Sequence, residues 1–343
     1  MTSIAPIRLA LILGLAVGCA GLANCSEPAP PPPPVAAAPP TPTPAAFELS
    51  PAVVANAAAY EDYMARAALV NPDFKSGTDV AQALKLGASD DPQALLRGEI
   101  AYAAIAALQD PDYVSAIRTY SENDVGRRQL AQLLEQDPRY VLGITGADSA
   151  AGLAIAALMD QGRRLSAAGA AVKQSAYDVQ HQAWSKEFVP NRDQRLADAK
   201  SATALTFTAQ AEEVAHLQRV AAGFEPMALS GPPATRPFPP VVIRGLAVAA
   251  LALLGEAGEE NTTLVEPLLT DPTSANCLNM AKLNLYQCLA VAKPYYEDIF
   301  CLGEHILSDT GECVMIDAGA PVPPAPSTLE PPTAPKPARP HDG

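Results

Sequence analysis

The sequence predicts an all-α protein: a helical bundle with a long antiparallel helix pair and a C-terminal helical hairpin clamped by disulfides. Three observations carry this. Asp directly precedes Pro at Asp91-Pro92, Asp110-Pro111, Asp137-Pro138 and Asp271-Pro272, each time at the head of an apolar-periodic stretch, and Ser50-Pro51 repeats the pattern. Such a side chain accepts from the free N–H groups of a first turn, while Pro, having no N–H to lose, fits the first helical position. Leu158, Leu165, Val172 and Val179 recur every seven residues, as along one seam of a helix. Alternating β-branched runs joined by Asn-Gly or Asp-Gly turns are absent, which leaves no candidate strand hairpin.

Taken in order, residues 1–19 read as an export signal: Arg8, an apolar run over 9–18, then small residues around Cys19. Leu15-Ala16-Val17-Gly18-Cys19 resembles a lipobox, with Ala16 where Leu is usual, so that Cys19 becomes the lipidated first residue. Gly21-Leu22-Ala23 offers a second cleavage point, making the signal 1–23. The apolar run is far shorter than the roughly 20 residues of a spanning helix. Residues 20–46 are a proline-rich linker, extended as polyproline II because proline cannot donate to helix or ladder. It reads equally as a stalk or as a plain disordered connection.

Residues 47–223 form the first expected helical domain, with the long hairpin inside it. The helix over 147–186 places Gly162, Gly169, Ala176 and Ala183 four residues after each member of the apolar seam, so a second helix can approach closely. The partner expected is 191–222, beyond the break at Val189-Pro190, with Phe207, Ala211, Val214 and Ala221 as its apolar face. Glycine inside a helix costs roughly 1 kcal/mol, so close packing or a bend should compensate at Gly162 and Gly169.

Residues 224–240 form a linker rich in Pro, Gly and Ser, and 241–316 a helical subdomain. Its first helix, 241–255, contains an uncharged run half the length of a membrane span and reads as a core helix. Cys277 and Cys288 lie eleven apart, nearly on one face of a helix; Lys293-Pro294 breaks the chain; Cys301 follows on a second helix, with Cys313 beyond an expected stop at Gly311. In an antiparallel hairpin, residues whose numbers share a sum sit level, and this selects nested pairs, Cys277–Cys313 and Cys288–Cys301. The geometry is similar to the twin-cysteine hairpins of the coiled-coil-helix family, in geometry only. The wide spacing does not suit a zinc site, and neither metal nor cofactor is expected. Residues 317–343 are a proline-rich tail expected to be disordered.

A net charge of −14 with no basic patch argues against nucleic acid as a partner. No nucleophile elbow, phosphate loop, zinc-binding His-Glu-x-x-His or haem attachment motif occurs. What remains is a polar-aromatic stripe, Lys173, Tyr177, His181 and Trp184, on one face of the long helix. It reads either as a ligand or partner pocket with His181 titrating, or as aromatic groups wedged against the partner helix with their polar tips outward. Glu212 and His216 read as a solvated helix pair. The stretches Tyr177-Asp178-Val179-Gln180-His181-Gln182-Ala183-Trp184 and Tyr286-Gln287-Cys288 resemble Ala-rich exported proteins of Gram-negative bacteria, a resemblance that implies no activity or site. The expected role is a non-catalytic module of the cell envelope, in the periplasm and lipid-anchored if Cys19 is modified, with an envelope protein or cell-wall component as partner. The alternative is a periplasmic enzyme acting on the cell wall without a linear motif.

Overall fold

The computed structural model describes residues 49–204 and 208–321; Cys19, Cys25, both cleavage points, the 20–46 linker and nearly all of the 317–343 tail lie outside these residues. Among them are thirteen α-helices and no strand. Four of the five predicted starts open α-helices: α1 (Pro51–Ala68), α3 (Pro92–Ala107), α4 (Pro111–Ser121) and α11 (Pro272–Val291). Asp91 and Asp110 accept from Ala94 and Tyr113 N–H, each at 2.8 Å, and Asp271 from Thr273 and Ser274, satisfying donors that the helix leaves free. Asp137 instead heads a 3-10 turn, Pro138–Gly143. Sequence reading missed α2 (Gly77–Gly87), opened by a capping box between Ser76 and Asp79, and α5 (Asp124–Gln136), capped by Asn123.

The long helix α6 (Ala147–Val179) starts after Gly146, whose φ of 81° favours a residue without Cβ. It ends at Val179, not Lys186, because the buried Ser185 turns back and its hydroxyl donates to the Val179 carbonyl. The expected partner, 191–222, is two helices: α7 (Arg192–Ala204), packed on α11 and α2, and α8 (Ala211–Ala221), packed on α1. Phe207 lies outside the described residues. Residues 224–239 are irregular and pinned to the start of α6 by Ala234 N–H on Asp148 O (2.7 Å) and the Arg236–Asp148 ion pair (2.8 Å). After them α9 (Pro240–Leu253) packs on α3, and a short α10 (Thr262–Val265) precedes α11.

The true partner of α6 is the C-terminal rod, α12 (Tyr295–Cys301), a π-helical segment Leu302–Ser308, and α13 (Asp309–Asp317). The seam predicted on α6 is real and its occupant is different. A Cβ on Gly169 would stand 2.5 Å from Ser308 N and 2.8 Å from Gly303 O; one on Gly311 would stand 2.6 Å from Ser166 N. Glycines on both helices therefore let the backbones touch. Gly311 does not stop the rod; it is a contact point within it, so Cys313 lies inside α13.

Both nested disulfides form: Cys277–Cys313 with Cα atoms 5.8 Å apart and Cys288–Cys301 at 5.7 Å. The cysteines on α11 lie eleven positions apart and those on the rod twelve. The π segment accounts for the odd residue, since its wider turn absorbs one position without changing the face presented. The same absorption lets Gly303 and Gly311, eight apart, meet Gly169 and Gly162, seven apart. Two intact disulfides fit a compartment outside the cytoplasm, where thiols are oxidised. No helix among the described residues is long and apolar enough to cross a membrane.

Candidate functional site

The predicted stripe divides. Lys173 and Tyr177 lie on α6 and turn to the rod: Lys173 Nζ meets Glu304 Oε2 at 2.7 Å and stands 5.6 Å from the Phe300 ring centre, while Tyr177 meets Phe300 edge-on at 6.2 Å. The hydrogen bond to Glu304 raises the Lys173 pKa. His181 and Trp184 lie beyond the end of the helix. His181 is exposed on the turn, and Trp184 donates to Gln182 Oε1 at 2.6 Å and tilts toward Tyr295, 6.4 Å between centres. The four residues therefore do not form one pocket around His181. His216 pairs with Glu225 at 2.9 Å, so the expected Glu212–His216 pair is replaced by a contact to the following loop.

The first turn of α12 organises two concavities from its alternate sides. Tyr296, Glu297 and Phe300 close a groove of about 220 Å³ with Ala176, Tyr177 and Gln180, and the Cys288–Cys301 disulfide forms part of its lining. Tyr295 and Asp298 line a larger cleft of about 790 Å³ between α2 and α7, within the range of ligand sites. Its walls are small and apolar, among them Gly77, Val80, Ala81, Ala199 and Ala202, with Gln82, Lys85, Gln194 and Asp198 adding polar groups.

Arg195 and Asp298 form a largely buried ion pair on the cleft wall. Sequence reading left Arg195 unnoticed. Arg195 also donates to Leu289 O, and Arg192 to Ala292 O at 2.8 Å and Ala290 O at 3.1 Å. These carbonyls end α11 and have no helical N–H partner, so two guanidiniums from α7 cap that helix, whose C-terminal end favours cations. Burial pushes the Asp298 carboxyl up to about 6, and Arg195 limits the rise.

Three further shifted groups, Glu61, Glu99 and Lys282, line neither concavity. Glu61 is pushed up to about 8, first by burial and then by the neighbouring Glu213 carboxyl; Tyr102 OH donates to its Oε1 at 3.3 Å. Glu99 is wholly buried, neither of its oxygens has a partner, and burial, then Asp317 and Asp271, hold its pKa well above the carboxylate range. Lys282 is buried against Asp90 and the Ala88 carbonyl, its pKa lowered by burial. Lys282 had a signal in the sequence: it is the only charge in the twenty residues of α11.

The arrangement can hold a ligand or a partner segment. No family model matches this chain, nor does any curated protein or solved structure.

Proposed function

We propose that this protein is a non-catalytic module of the cell envelope, a helical body on a proline-rich stalk that binds an envelope protein or cell-wall component. The observation that carries this reading is the content of the cleft. Its buried acid, Asp298, is committed to Arg195, and the raised carboxyls of Glu99, wholly buried, and Glu61, half-buried, do not line the cleft. The long seam of α6, the other surface on which a site could lie, is filled by the rod. Periplasmic location and lipidation at Cys19 belong to the same proposal and rest on the sequence of the first residues.

A photo-activatable residue at Gln82, on the cleft, should capture a discrete envelope component, while one at the exposed Val125 should not. Equal labelling from both positions would remove the cleft from the proposal. Replacing Cys19 with Ala should release the protein from the membrane fraction; unchanged mass and fractionation would support cleavage after Ala23 instead. The enzyme reading has one observation of its own, the raised Glu61. It requires purified protein to release fragments from cell wall and Glu61→Gln to abolish that release, and we expect no release from either.

A further inference from the structure

We propose that the groove lined by Tyr177, Tyr296 and Phe300 is the docking site of this chain's own proline-rich segment 331–340, bound within the same molecule. The groove is smaller than the roughly 300 Å³ at which ordinary small-molecule pockets begin, yet three aromatic side chains line it and Tyr177 remains 47% exposed. Aromatic-lined grooves of this kind take proline rings, because a polyproline II segment is already extended and loses little entropy on binding.

Reach selects the segment. From Cys301, at the groove, to Asp317 the rod covers about 24 Å at 1.5 Å per residue. The described chain continues to Pro321, and ten further residues extended at about 3.1 Å each cover about 31 Å, enough to bring residue 331 back to the groove. There the sequence becomes Pro331-Pro332-Thr333-Ala334-Pro335-Lys336-Pro337-Ala338-Arg339-Pro340.

Charge selects it a second time. This segment carries Lys336 and Arg339 and no acid, and Glu297 lines the groove; a cation also sits well on the aromatic faces. The other proline-rich segment, 20–46, carries the acid Glu27 and no base. The proposal goes beyond the envelope-binding reading and stands whether or not the body has a further partner.

Lys336 is the only lysine after residue 321, so carbodiimide cross-linking of the full chain, mapped by mass spectrometry, tests it directly. The ion pair Lys173–Glu304 supplies an internal control at 2.7 Å. A Lys336–Glu297 link is expected, its yield unchanged on dilution. Changing Pro331, Pro332, Pro335, Pro337 and Pro340 to Ser while keeping Lys336 should lower that yield about tenfold, the loss of a modest contact energy. Three results overturn the proposal: the control link without Lys336–Glu297, an unchanged yield in the serine variant, or links found mainly between isotopically distinct copies, which would assign the groove to a second molecule.

Discussion

Two long-range interfaces of this protein are built on different principles. In the first, α3 and α9 are almost wholly interior: thirteen of the sixteen residues of α3 and eleven of the fourteen of α9 are buried. In the second, α11 buries only six of twenty, and one of those is Lys282. Burial is non-directional and scales with apolar area, so α3 and α9 need little else to associate. α11 has too little such area and is secured by position-specific devices: two disulfides, the Lys282–Asp90 pair, and the Arg192 and Arg195 caps. The difference teaches where this protein is fragile. The first region should absorb many small changes, and the second should fail at a few named atoms.

The largest effect that would test this contrast is at the buried ion pair. Lys282→Met removes the cation that faces the buried Asp90 and should destabilise by about 3–5 kcal/mol in urea unfolding. Adding Asp90→Asn should recover most of the loss, because the cost lies in the stranded charge. A single variant as stable as the parent would mean that α11 does not depend on this fastening.

Next come the disulfides. Replacing both Cys277 and Cys313 with Ala should cost about 2–4 kcal/mol. Hydrogen exchange should quicken in α11 and α13 first while α3 and α9 stay protected. Uniform loosening of both regions would erase the distinction drawn between them.

A smaller loss, about 1–3 kcal/mol, is expected for Gly169→Ala, measured by thermal melting. An alanine gains helix propensity, but its Cβ would stand 2.5 Å from the backbone nitrogen of Ser308, which cannot rotate away as a side chain can. A neutral result would show that α6 and the rod can slide apart without cost.

The mildest test is pH, and it reaches both sides of the comparison, Glu99 on α3 and Asp317 bonded to Ser274 of α11. Glu61 and Asp317 are pushed up to about 8 and about 7, and burial raises Glu99 as well. The folded state therefore holds protons that the unfolded chain has already released. This contribution is present in full below the ordinary carboxylate range and is lost as pH rises through about 7 to 8. Melting temperature should fall between pH 6 and pH 9, and Glu61→Gln should flatten part of that slope. A melting temperature that rises over this interval would mean that these carboxyls are ionised in the folded protein.

Much of this was legible in the residues and some was not, for reasons that differ by element. The Asp-Pro and Ser-Pro starts were readable because a cap and a first turn are local. The nested cysteines were readable because one helical hairpin obeys one level-matching rule, with the π segment absorbing the single residue of mismatch. The seam on α6 was readable too, but its occupant was not. Gly303 and Gly311 lie eight apart, a spacing that suits one helical face only after a π turn has shifted it, and nothing local marks that turn. The stripe Lys173, Tyr177, His181 and Trp184 failed as a unit because Ser185 ends the helix early from outside it. The cleft wall could not be found at all, since Arg195 and Asp298 are separated by about a hundred residues and meet only when α7 caps α11.

By itself the sequence determined the all-α class, most of the Asp-Pro and Ser-Pro helix starts, the disulfide pairing and the apolar seam of α6, all of which follow from hydrogen-bond and side-chain geometry within one helix or one hairpin. Only the tertiary structure decided which helix fills the seam of α6, which charges are stranded in the interior, and where the groove and cleft open. Those outcomes depend on which backbones approach closely enough to exclude water, and that is a property of surfaces brought together from distant parts of the chain.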